Sequence, residues 1–263
     1  LSARPATRIL AWYFRRHARR RNRGPGRRAA PGEVRRVLLV SSTGLGDTVL
    51  STPAIAAARE AWPEAELHLL VKGAWAGLFS ACPHLDGVTI YPGKFKRVGP
   101  LLRELRSIRP DLALILHGND PDIVPLAYLS GRPYLVCRAS VRFDFLLDQG
   151  VYFDDPDRHI AERRLDVVRA VAGPLDSRSP EIFVPPRMRD WAAVFRADLG
   201  LASGERMLVL NPGGSRQPKQ WPDHHWRDLI ARLGRVRGLR PVLFGSPAER
   251  PRLEALAHGA GRP

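Results

Sequence analysis

Short apolar runs alternate along the chain with longer stretches whose apolar positions recur at helical spacing. The runs at 34–40, 65–71, 88–91, 112–117 and 133–136 have the length and Val/Leu/Ile content of strands covered on both faces. Between and after them, the segments 48–61, 74–81, 98–108, 122–130 and 159–172 predict helices. Regular alternation of the two predicts βαβ units around a parallel sheet, an α/β fold. The pattern lapses at Gly173-Pro174 and stays irregular to Pro186, so a hinge is expected there. It resumes with a helix at 187–199, a strand at 207–211, a helix at 224–236, a strand at 241–245 and a helix at 248–257. The expected division is a basic arm and linker at 1–32, a first domain at 33–175 and a second at 176–263. Two strands fall short of the five or six of a doubly wound sheet, so the second domain is expected to be incomplete.

The densest stretch is 34–59, VRRVLLVSSTGLGDTVLSTPAIAAAR. Its strand runs into Ser41, Ser42, Thr43, Gly44 and Gly46, small residues that let the backbone turn close to whatever lies above the sheet. Asp47 then stands where the helix from Thr48 is predicted to begin, the place of a capping carboxylate. Strand, glycine turn and helix together form the mouth of an open α/β sheet, where ligands collect. A Gly-x-Gly turn before Asp also serves as a plain capped turn. The third glycine of a dinucleotide fingerprint and the Gly-Lys-Ser/Thr of a P-loop are both missing. A second polar turn, Gly118-Asn119-Asp120, follows the strand that closes on His117.

Charge changes the picture at the front of the chain. The 42 Lys and Arg against 26 Asp and Glu leave a formal charge of +16, which favours an anionic partner. Ten arginines and no acid lie between Arg4 and Arg28. Within that arm, Ile9, Leu10, Tyr13 and Phe14 share one helical face, the pattern of a helix lying in a membrane interface; a disordered basic arm has the same composition. No recognised nucleic-acid-binding motif accompanies the charge, so no nucleic-acid partner is expected. Cys82 and Cys137 stand far apart without a CxxC, which points to reduced core thiols, and no apolar run is long enough to cross a bilayer; a cytoplasmic protein is the expectation.

The phrase LLVSSTGLGDTVLSTPAIAAAREAWPEAELHLLVKG resembles the opening of the bacterial ADP-heptose:lipopolysaccharide heptosyltransferases, glycosyltransferase family 9. The matching residues are Gly46-Asp47, Thr52-Pro53-Ala54, Trp62-Pro63 and the strand from Ala65. A second block, LVLNPGGSRQPKQWPDHHWRDLI, is similar to that family's donor-binding loop. The resemblance implies a GT-B-type fold, two Rossmann-like domains with parallel sheets, the first facing the acceptor and the second holding the nucleotide sugar. It implies an inverting, metal-independent transfer of a heptose or related sugar from a nucleotide diphosphate, such as ADP-heptose, to a lipopolysaccharide core or similar anionic glycolipid. No cofactor is implied beyond that donor. Asp47 takes the family's general-base position; Ser42, Thr43, Gly44, Gly46, His117 and Asn119 belong to acceptor-side loops. Gly213, Gly214, Ser215 and Lys219 would meet the diphosphate, with Trp221-Pro222 pinning their loop, and Glu249 the nucleoside. The basic arm would then hold the enzyme at the cytoplasmic face of the inner membrane. Family members continue with an Asp-Thr/Ser-Gly-x-x-His segment absent here, so the chain reads as truncated. The alternative function is a remnant that binds acceptor glycolipid without catalysis.

Overall fold

The computed structural model describes residues 14–16, 31–214 and 217–259. The expected interfacial helix and linker, apart from Phe14–Arg16, lie outside these residues, as does Ser215. The chain forms two compact units that divide after Pro185, each with its own parallel sheet.

In the first unit, strands β1 (Arg36–Ser41), β2 (Glu66–Lys72), β3 (Gly87–Tyr91), β4 (Leu112–His117), β5 (Tyr134–Arg138) and β6 (Gln149–Val151) pair in the order β3-β2-β1-β4-β5-β6. All five pairings are parallel. The helices are α1 (Leu45–Val49), α2 (Thr52–Ala61), α3 (Gly73–Ala76), α4 (Val98–Ile108), α5 (Ile123–Leu129) and α6 (Ile160–Ala172). Strand periodicity divides the core into two layers. Leu39, Leu69, Leu114 and Val136 face one layer with Ala54, Ala57 and Ala58 of α2 and Leu165 and Val168 of α6. Leu38, Val40, Leu70 and Ile115 face the other with Leu101 and Leu105 of α4 and Ile123 and Leu126 of α5.

Several sequence expectations shift. The helix predicted over 48–61 is two helices, because Pro53 in the first turn of α2 supplies no N–H for continuation from α1. The helix predicted over 74–81 shortens to α3 and a 3-10 turn at Gly77–Phe79. Strand β6 was not predicted: three residues with a central glycine carry no periodicity, and their strand geometry comes from pairing with β5. The segment 174–185 belongs to the first unit, so the expected boundary after residue 175 moves to Pro185. Phe183 meets the His84 ring edge-on, the Glu181 N–H donates to Thr52 Oγ1 at 2.8 Å, and Arg169 grips the Leu175 carbonyl. Phe14, expected on a membrane-facing stripe, is instead buried edge-on against Phe143 and Tyr128.

The second unit contains α7 (Pro186–Asp198), β7 (Arg206–Leu210), α8 (Asp223–Leu233), β8 (Leu239–Leu243) and α9 (Arg250–Gly259), with β7 and β8 paired in parallel. Among the described residues no helix is long and apolar enough to cross a membrane.

Candidate active site

From β1 the chain proceeds outward to β2 and β3, then returns to place β4 on β1's other side. The loops after β1 and β4 therefore part company above adjacent strand ends, the topological switch point at which open α/β sheets bind ligands. Ser41 lies opposite His117 in the register, and the Ser42 N–H donates to the His117 carbonyl at 3.0 Å. Thr43 Oγ1 and His117 Nδ1 share a 2.5 Å hydrogen bond, while Trp75 Nε1 holds the Thr43 carbonyl at 3.0 Å. Gly118 follows; a Cβ there would come within 2.8 Å of Ile123 Cγ2, so only glycine lets the loop pass the start of α5. Asn119 is exposed on that loop. The Ser42 side chain is fully buried, and its Oγ has no hydrogen-bond partner among the described residues.

Asp47 does not cap a helix as expected. Helix α1 begins at Leu45 after an extended Gly44, which leaves Asp47 inside the first turn. Its side chain is 44% exposed, and its Oδ1 lies 3.0 Å from Arg164 Nη2. Arg164, on α6, is only 2% exposed. Its Nη1 also donates to the Asp47 carbonyl and, at 3.2 Å, to Ser51 Oγ. Ser51 in turn bonds Ser41 Oγ at 2.9 Å. Burial pushes the His117 imidazole below its ordinary value of 6.5, the Arg164 and Arg138 cations push it the same way, and the Asp47 carboxylate opposes them. His117 is therefore neutral at neutral pH, a hydrogen-bonding rather than a charged group. The switch point thus assembles Ser42, Thr43, Gly44, Gly46, Asp47 and His117 on two adjoining loops, with Asn119 on the second.

In the second unit, the turn after β7 carries Gly213 and Gly214. A Cβ on Gly213 would collide with Glu249 Oε1, so the turn and Glu249 are in direct contact. Glu249 Oε2 accepts from the Ser246 N–H (2.8 Å) and Oγ (2.6 Å), a capping box that holds its pKa below the usual carboxylate value. Lys219 is exposed in the 3-10 turn Gln217–Lys219. Trp221 does not pin this loop. It stays about half exposed and stacks on His225, ring centroids 4.9 Å apart. The loop is tied by Arg252, which donates to the Pro212 carbonyl, Gln220 Oε1 and Asp223 Oδ1.

Sequence reasoning missed Arg164, Trp75 and Arg252. For Arg164 a signal existed. Ala161, Leu165 and Val168 mark the buried stripe of α6, and position 164 falls on it, so a charge there had to find a buried partner.

The family model for Glycosyltransferase family 9 (heptosyltransferase) matches residues 133–262. Lipopolysaccharide heptosyltransferase 1 of Escherichia coli K12 is 26% identical over 240 residues, covering 85% of this chain and 72% of that protein. These matches point to glycosyltransferase family 9. Solved family 9 structures share the fold. The glycosyltransferase of Veillonella parvula superposes with a TM-score of 0.74 at 20% identity, over 87% of this chain and 67% of that one. The E. coli heptosyltransferase WaaC with ADP-2-deoxy-2-fluoro heptose gives 0.61 at 22% identity, over 85% and 73%. The fold is thus of GT-B type, and the heptosyltransferase relatives support a glycosyltransferase.

Proposed function

We propose that this glycosyltransferase moves a heptose, or a closely related sugar, from a nucleotide diphosphate donor to a hydroxyl of a lipopolysaccharide core or similar anionic glycolipid. The observation that carries the reading is the Asp47 carboxylate at the switch point: Oδ1 is bound to Arg164, while Oδ2 has no hydrogen-bond partner among the described residues of a half-exposed side chain. A carboxylate so held can take a proton from an acceptor hydroxyl as that oxygen bonds to the anomeric carbon. The bond from that carbon to the diphosphate oxygen breaks on the opposite face, which inverts the anomeric configuration and releases the nucleoside diphosphate. The Gly214 amide, the Ser215 hydroxyl and the Lys219 ammonium carry the negative charge of the departing diphosphate, while Gly213, whose N–H donates to Asn211 Oδ1 at 3.0 Å, shapes their turn. Glu249, in contact with the Gly213 turn, is suited to the nucleoside end, and the reaction calls for no metal. ADP-heptose is the donor favoured by the similarity to E. coli heptosyltransferases. Neutral His117 and the Ser42, Thr43, Gly44, Gly46 and Asn119 loops would receive the acceptor. The acid-free arm would keep the enzyme at the anionic cytoplasmic face of the inner membrane.

The direct test incubates the protein with ADP-heptose and heptose-deficient lipopolysaccharide and follows ADP release and the mass of the product. Acceptor-dependent ADP release with addition of one heptose supports the proposal. Binding of the lipopolysaccharide with no release of ADP would leave the non-catalytic alternative in its place.

A further inference from the structure

We infer that Arg164 is the positioning residue that sets which oxygen of Asp47 receives the acceptor proton; the inference rests on Asp47 acting as the base. Three features single it out. The guanidinium is buried, at 2% exposure, and comes from α6, far along the chain from the turn it holds. Its two terminal nitrogens grip both parts of Asp47: Nη1 donates to the backbone carbonyl and to Ser51 Oγ, and Nη2 donates to Oδ1 at 3.0 Å. Its Nε has no partner among the described residues, so no other carboxylate satisfies the cation. Burial lowers the pKa of Arg164, and the hydrogen bond and charge of Asp47 work against that shift. A lone structural cation would be costly to bury in this way.

The geometric consequence is specific. With the Asp47 carbonyl and Oδ1 on one planar fork, turning the carboxylate about χ1 or χ2 breaks the contact to Arg164, and Oδ2, beside Gly44, is the oxygen left without a hydrogen-bond partner among the described residues. Thr48 Oγ1 ties the turn to the Gly44 carbonyl at 2.9 Å and Ser51 Oγ donates to the Asp47 carbonyl at 3.2 Å, but of the described residues only Arg164 holds the Asp47 carboxylate. A lysine, with one point charge in place of the fork, cannot hold carbonyl and carboxylate together.

The test compares Arg164→Ala, Arg164→Lys, Asp47→Ala and the double variant Asp47→Ala/Arg164→Ala, with steady-state kinetics on ADP-heptose and heptose-deficient lipopolysaccharide. A misplaced base costs about a hundredfold in rate, so Arg164→Ala should lose about that much in kcat with both KM values little changed. Arg164→Lys should fall between it and wild type, and guanidinium ion at tens of millimolar should restore part of the Arg164→Ala rate where equal NaCl does not. Because Arg164 acts through Asp47, the double variant should be no slower than Asp47→Ala alone. Should Arg164→Ala fail to fold, Arg164→Lys carries the test through its kcat. Asp47→Ala at the wild-type rate would overturn the base assignment. An inactive Asp47→Ala beside a folded Arg164→Lys with wild-type kcat, or a double variant slower than Asp47→Ala, would overturn the role of Arg164 alone.

Discussion

Asp47 and Lys219 have opposite surroundings, and their substitutions should fail in different ways. Asp47 sits in a turn built by its neighbours and stays partly open, so Asp47→Ala should remove the proton acceptor while the donor still binds. Transfer should fall by at least about a hundredfold, within the range general-base catalysis supplies, with the Kd for ADP-heptose by calorimetry unchanged. Lys219 is exposed, and Lys219→Ala should chiefly weaken that Kd, by about tenfold, a charge-assisted contact to phosphate. His117 gives a stability readout instead of a kinetic one. Its folded pKa lies below the ordinary 6.5, so as pH falls through that value the unfolded chain takes up a proton that the folded chain refuses. Stability therefore drops as pH falls through the ordinary histidine range and levels off once the folded imidazole also titrates. Thermal unfolding of His117→Asn across this window should show a shallower slope than wild type. An identical slope would mean that the buried imidazole is not the group responsible.

At the scale of elements, the central strands β1 and β4 have the most to lose. Leu114 of β4 is fully buried, pairs with Leu39 and Val136 in the register, and packs in the layer shared by α2 and α6. Leu114→Ala should destabilise the first unit by about 2–5 kcal/mol, measured by urea unfolding. The strands and the longer helices were legible because their apolar positions repeat at periods of two or 3.6 residues. Shorter elements were not. α1 was merged with α2 because the Thr-Val-Leu-Ser stretch before Pro53 has no breaker, and β6 was silent because Gln149–Val151 is too short to show a period. The Asp47 cap was misread for the same reason: the true start, Leu45, follows a glycine whose extended backbone ends the turn without side-chain help.

On the scale of the whole molecule, charge is unevenly shared. The formal +16 and a sequence pI near 11.1 go with the acid-free front of the chain. Sedimentation with vesicles containing phosphatidylserine should carry the protein down at low salt and release it as ionic strength rises. Replacement of Arg19, Arg20, Arg21, Arg23, Arg27 and Arg28 by alanine should weaken that association without touching the seat of Phe14 between Phe143 and Tyr128. Equal binding of neutral and anionic vesicles would argue against an electrostatic contact.

Composition and local pattern by themselves determined the α/β class, the parallel sheets and the two small-residue turns, with Asp47 in the first, since each is written in neighbouring residues; the base role of Asp47 came from the family resemblance. Only tertiary structure decided that the two turns of the first unit share a switch point, because strand order depends on which side of β1 the chain returns to. It also decided that Arg164 faces Asp47 and that the segment up to Pro185 packs on the first unit. The physical reason is common to these cases. Pairing between residues 74 to 129 positions apart is governed by strand order and by how helices stack on the sheet, and no local period in the sequence encodes that distance.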